Sequence, residues 1–233
     1  MSKPNAAAAL REGQLTAAKQ ITLFRLFWLF LLSSFLGNLI EVAFWALTRG
    51  ELVSRSSLLW GPFSLVWGLG AVVLTLALHP LQTQNNLVLF VAGSLLGGGY
   101  EYLCSWFQEW AFGAYFWDYS HLPFNLNGRI NLVFCLFWGL AAVAWIRVVL
   151  PLFCLWIDRI QKGRTRVLTG LLAAFLILSA TVSAAALVRM NQRQQDIPAS
   201  NPVQVFLDEH FPDQRLRDRY PYMGLTGGDS SGR

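Results

Sequence analysis

GGGYEYLCSWFQEWAFGAYFWDYSHLPFNLNGRINLVFCLFWG, from Gly97 to Gly139, joins two apolar runs through a polar link. It sets Glu101 and Glu109 inside apolar, aromatic-rich sequence. A polar knot follows, Trp117-Asp118-Tyr119-Ser120 and then Asn125-Leu126-Asn127-Gly128-Arg129, before apolar sequence resumes. A carboxylate at bilayer depth costs roughly 2.5–3.5 kcal/mol on an insertion scale, so a chain that keeps several is expected to use them.

Outward from this run, the 233-residue chain is 55% hydrophobic and 13% charged. Soluble domains carry about 25% charged residues. Apolar runs long enough to cross a hydrocarbon core of ~30 Å recur along the chain, whereas the ~10-residue alternating segments of a transmembrane barrel do not. The expected fold is an all-α, polytopic membrane bundle of about five helices. The net charge of +5 sits beside these runs, which is how topology is set, so no nucleic-acid partner is expected. Cys104, Cys135 and Cys154 fall within apolar runs without metal-ligand or redox spacing, and His79, His121 and His210 are scattered. No metal site and no cofactor are expected. Polar sequence to Gln20 does not read as a secretory signal.

Five spans are expected, near Ile21–Thr48, Leu58–Leu78, Leu87–Phe116, Ile130–Ile157 and Val167–Val188. Residues 1–20 then form an N-terminal segment, 21–188 the bundle, and 189–233 a polar tail with four prolines, read as largely disordered beyond a short amphipathic turn. Lys3, Arg11, Lys19 and Arg25, with Arg159, Lys162, Arg164 and Arg166, place the N-terminus and the fourth loop on the cytoplasmic side of a bacterial inner membrane. The tail lies outside. Arg147, in the inner half of the fourth span, reads as a snorkelling residue.

That orientation carries Glu41, Glu101, Glu109, Asp118, Asn125, Asn127, Arg129 and Arg55 toward the outer side, as candidates for one polar cavity. Gly93, Gly97 and Glu101 share a helical face, and Gly37 precedes Glu41 by one turn. Small residues there let a neighbouring helix approach and keep the carboxylate away from lipid. Leu36-Gly37-x-x-x-Glu41 matches Leu96-Gly97-x-x-x-Glu101. Downstream of each comes Trp-Gly: Trp60-Gly61 and Trp67-Gly68 in one half, Trp138-Gly139 in the other. A parallel two-helix repeat and a chance match between short apolar segments both account for this.

The segments Gly37-Asn38-Leu39-Ile40-Glu41, Leu59-Trp60-Gly61-Pro62-Phe63 with Trp67-Gly68-Leu69-Gly70, and Glu101-Tyr102 through Trp138-Gly139 resemble the bacterial ABC-transporter permease family of CmpB type. WDYS-x-x-x-FNLNGRI is the most specific element, and the resemblance spans about Phe35 to Gly139. It departs at Trp67-Gly68, where the family has a Tyr-Gly-like pair, and at Ser64-Leu65, where Pro is common. The resemblance implies solute transport. The chain holds no Walker sequence, so an ATPase would be a separate subunit. Three functions remain open on the residues. One is a transport component in which Glu41 and Glu101 bind a cation, a proton or a cationic group. The second is an intramembrane enzyme acting on a lipid, with Glu101 or Asp118 as base. The third is a scaffold in which Asp118 and Arg129 form a clasp. Expected partners are membrane lipids and either the separate ATPase or further copies of the chain.

Overall fold

The computed structural model describes residues 21–160 and 163–226. The N-terminal segment 1–20 with Lys3, Arg11 and Lys19, residues 161–162 with Lys162, the Arg164 side chain and the last seven residues of the tail lie outside the description. Helix α1 runs over Leu23–Arg49, capped by the Thr22 side chain, which accepts from the Arg25 amide, and closed by Gly50 in the left-handed region. Helix α2, Leu65–Leu78, is followed by a 3-10 turn at His79–Leu81. Helix α3 covers Asn86–Phe112, α4 covers Leu132–Ala144 and α5 covers Leu150–Ile160. Helix α6 is the longest, Gly163–Gln194.

Among the described residues, four helical stretches are long and apolar enough to cross a membrane: α1, α3, the continuous run from α4 to α5, and α6. The α2 stretch, Leu65–Leu81, is shorter. At 1.5 Å per residue it rises about 25 Å, less than the ~30 Å hydrocarbon core. The missing depth is made up by residues 51–64, which are not helical, so the second span begins seven residues later than expected. Gly61, with φ of 81°, and Pro62 break the helix. Irregular backbone at membrane depth must find its hydrogen bonds inside the protein. Here the buried Ser56 hydroxyl lies 2.9 Å from both the Gly61 and the Phe63 carbonyls. Arg219 of the tail donates to the Leu58 and Gly61 carbonyls at 2.8 and 2.7 Å.

Between α4 and α5 the helix widens into a π turn at Trp145–Val149. Pro151 explains it: the ring has no amide for the carbonyl one turn back and would collide with it, so the helix loosens there. Within this turn Arg147 does not simply snorkel. It donates to the Gln82 carbonyl at 2.6 Å, to the Gln84 carbonyl, and to Asn86 Oδ1 at 2.9 Å, tying the 82–86 loop to the fourth span. On the same side Arg25 and Asp158 form a bidentate pair at 2.7 and 2.8 Å, joining α1 to α5.

The main core gathers Leu29, Leu74, Leu89, Trp145 and Ile157 from α1 to α5, with Leu176 of α6. Leu47, Leu95 and Ile177 remain on the outer surface, more than two thirds exposed, as expected of side chains that face lipid. A second core explains why the tail departs from the expected disorder. Helices α7 (Pro202–His210) and α8 (Asp213–Arg219) pack Leu207, Phe211, Leu216 and Tyr220 on Ala186, Leu187 and Met190 of α6. Strand β1 (Ala114–Tyr115) follows α3 and pairs antiparallel with β4 (Gly224–Leu225) at the tail's end. Between them in sequence, β2 (Asn125–Leu126) and β3 (Ile130–Asn131) form a hairpin. The polar composition concealed the apolar face, which only the fold supplies with a partner.

Candidate functional site

Helices α1 and α2 pack through the same contacts as α3 and α4. A methyl group on Gly37 would run into the Trp67 side chain, and one on Gly97 into Trp138. Conversely, Gly68 faces Ser34 and Phe30, while Gly139 faces Ser94 and Phe90. Phe30, Ser34, Gly37 and Glu41 thus recur as Phe90, Ser94, Gly97 and Glu101, each following its counterpart by the same interval. The repeat is real in packing terms, and it selects Trp67 rather than Trp60 as the partner of Trp138. The two indole rings lie 6.1 Å apart, so the halves meet at their tryptophans.

Each glycine lets its tryptophan reach the glutamate one turn further along. Trp67 Nε1 donates to Glu41 Oε1 at 2.5 Å, and Trp138 Nε1 donates to Glu101 Oε2 at 2.9 Å. The second oxygens differ. Glu41 Oε2 accepts from Arg55 Nε at 3.2 Å, an ion pair, whereas Glu101 Oε1 accepts from the Tyr119 hydroxyl at 2.8 Å. Burial, and after it the adjacent Glu101, push the Tyr119 hydroxyl well above the ordinary phenol range, so it stays a donor. Glu101 is 7% exposed with both oxygens engaged.

The expected single cavity divides. Glu41 and Arg55 line a cavity of about 360 Å³ among residues 54–69, α3, α6 and the tail. Its other walls are mostly apolar, with Tyr220, Pro221, Tyr222 and Met223 contributed by the tail. Glu109 lies apart and pairs with Arg129, whose guanidinium sits 5.7 Å from the Tyr102 ring centre. Asp118 therefore does not clasp Arg129. Its carboxylate instead accepts from the Ser120 amide at 2.8 Å and the Ser120 hydroxyl at 2.9 Å. Asn125 donates to the Leu122 carbonyl at 2.7 Å and accepts from the Gly128 amide at 2.9 Å. Asn127, in the left-handed region before Gly128, donates to the Tyr102 hydroxyl at 3.1 Å. The Asn-Gly pair with Arg129 N–H returning to the Leu126 carbonyl at 3.0 Å makes a type I′-like turn.

Several side chains at the site were not singled out from sequence. Gln108 lines the cavity, and its Oε1 is buried without a hydrogen-bond partner. The aromatic ring of Tyr222 packs on Trp45 at 4.1 Å, and Arg55 lies over both. Nothing in the local pattern marks Gln108. Tyr222 sits in the tail, far from Trp45 in sequence. Among the described residues no group of three or more His, Cys, Asp or Glu side chains is arranged to hold a metal ion.

Comparison with curated proteins and with solved structures returns no match. The family described as "Putative ABC-transporter type IV" matches residues 28–184, from within α1 to the C-terminal half of α6. That interval is wider than the Phe35–Gly139 resemblance and reaches into the last span. With both glutamate–tryptophan units, the polar hairpin and all the membrane-spanning stretches at least partly inside it, the chain is a multi-pass membrane protein that belongs to the CmpB-type ABC-transporter family.

Proposed function

We propose that the chain is the membrane-embedded component of a transporter whose binding centre is the cavity edged by Glu41 and Arg55. The observation that carries this is the cavity itself: a space of about 360 Å³ within a packed bundle, bordered by an intramembrane ion pair. Such a pair is costly to bury, and ionisable residues within a membrane characteristically mark substrate or ion pathways. Glu101, closed by Trp138 and Tyr119, has a positioning role. It fixes Trp138, which packs on Trp67, which in turn holds Glu41. Glu109 and Arg129 fasten the hairpin to α3. The basic residues put the 82–86 loop and the α5–α6 connection in the cytoplasm, where a separate nucleotide-binding subunit would dock.

The test is purification of the complex in mild detergent, with mass spectrometry of its subunits and an ATPase assay. A stoichiometric nucleotide-binding subunit whose hydrolysis is stimulated by the wild-type chain is the expected result. Glu41→Gln should abolish the stimulation with the complex intact. A chain that purifies alone and stimulates no ATPase activity refutes the reading.

A further inference from the structure

The walls of the Glu41–Arg55 cavity specify the chemistry of a ligand. Val66 and Leu69 of α2, Phe107 of α3, Ala184 and Leu187 of α6, and Met223 of the tail give it an apolar lining. A hydrated solute would lose water there without recompense. A hydrocarbon chain would not.

The tail sets the direction of access. Residues 220–223 roof the cavity, and they are fastened on both sides. Arg219 donates into the 58–61 loop, and β4 pairs with β1 while the Thr226 amide donates to the Gly113 carbonyl at 2.9 Å. Phe107 both lines the cavity and is half exposed, beside Leu103 and Trp110 on the lipid-facing surface of α3. The side nearest Phe107 is therefore the one that faces the bilayer.

One end of the cavity is polar, with hydrogen-bonding capacity left over. Arg55 spends its Nε on Glu41, and its two terminal amino groups make no hydrogen bond among the described residues. Its side chain is only 17% exposed. A guanidinium presents a planar fork that matches phosphate. Gln108 Oε1, buried and without a partner, offers an acceptor on the same wall system. An apolar slot, an unused fork and an orphan acceptor together describe an amphiphile.

We infer that the cavity holds a phosphate-bearing membrane lipid, with an acyl chain between α3 and α6, the phosphate on the Arg55 terminal amino groups and a headgroup hydroxyl or amine donating to Gln108. This deepens the transport reading and rests on it for a purpose, while binding itself is measured without transport. Glu41 then serves as the counter-charge that keeps Arg55 oriented toward the phosphate.

The probe is phosphatidylglycerol with a diazirine on one acyl chain, incorporated in phosphatidylcholine nanodiscs with the full-length wild-type chain. Photolysis followed by peptide mapping should place cross-links on Val66–Leu69, Ala184–Leu187 and Met223. Labels confined to outward-facing Leu95, Leu103 and Ile177 would overturn the inference, and this wild-type map requires no variant to fold. Arg55→Gln should lower the cavity labelling by about tenfold, the loss of one charge-assisted interaction, and leave labelling by a diazirine diacylglycerol unchanged. Ala184→Trp should suppress both probes. Undiminished phosphatidylglycerol labelling in both variants would equally refute it. Labelled cavity residues with no ATPase stimulation would keep the lipid site and remove the transporter. Stimulation that depends on Glu41 without cavity labelling would do the reverse.

Discussion

An indole N–H is the group that makes each helix-borne glutamate tolerable in this bundle, and it is present twice. Trp138→Phe keeps the ring and removes the donor to Glu101 Oε2. It should cost about 1–2 kcal/mol, the range for a hydrogen bond to a charged or intramembrane group, read as a lower thermal midpoint in detergent. A midpoint equal to wild type would mean that the bond adds nothing. The glycines beneath the indoles are limited by space rather than by backbone angle. Gly97→Ala drives a methyl group into Trp138 and should destabilise by about 1–3 kcal/mol. Gly99, two residues on, faces open space, so Gly99→Ala should be neutral or stabilising by up to about 1 kcal/mol through helix propensity. Equal midpoints for the two alanine variants would contradict the close approach.

At the scale of elements, the tail is held as a folded segment against α6. Arg189, 3% exposed, makes two bonds to Asp208 at 2.8 and 2.9 Å, and Arg193 adds a third and reaches Asp213. The bond from Arg189, and those from Arg193 after it, hold the Asp208 carboxyl below its ordinary value of 3.8. A depressed folded value means that the stabilisation is complete above the unfolded value and is lost as pH falls through the folded one. Protease susceptibility of residues 195–226 should therefore rise on acidification below about pH 4, and Asp208→Asn should show raised susceptibility already at neutral pH with a flatter acid response. An unchanged acid profile in that variant would assign the transition to other groups. Arg219→Gln should open the same segment by leaving the Leu58 and Gly61 carbonyls to share the single Ser56 hydroxyl, which hydrogen exchange at residues 58–63 would register.

For the whole molecule, the described helices place Glu51 and the α7–α8 tail at one end and the 82–86 loop with Asp158 at the other. On the proposed orientation, in which basic flanks stay inside, the second end is cytoplasmic. In a chain with its three native cysteines replaced, Glu51→Cys should react with a membrane-impermeant maleimide in intact cells. Gln84→Cys should react only after permeabilisation. The opposite pattern would invert the topology and move the cavity roof to the cytoplasm. The two halves of the repeat are also not equivalent. Arg55 completes one carboxylate and Tyr119 the other, so only the first half carries a cation beside its glutamate.

That this is a helical membrane protein with carboxylates in its apolar runs is legible in the residues alone, because transfer free energies add along a chain and need no knowledge of neighbours. The sequence also carried the family motif and the Gly-x-x-x-Glu match. It did not determine which residues pair. Asp118 and Arg129 look like partners in one short loop, yet the turn at Asn127–Gly128 sends Arg129 to Glu109, and Asp118 is used up by Ser120. Trp60 and Trp67 carry the same Trp-Gly signal, and only the crossing of α1 and α2 decides that Trp67 meets Glu41. Helices that are apolar all round display no stripe to mark the face that packs, so the contact faces follow from where small residues let backbones approach. The order of the tail was hidden for a related reason. Its few apolar side chains count for little in composition, and they become a core only when α6 offers Leu187 and Met190 to bury them.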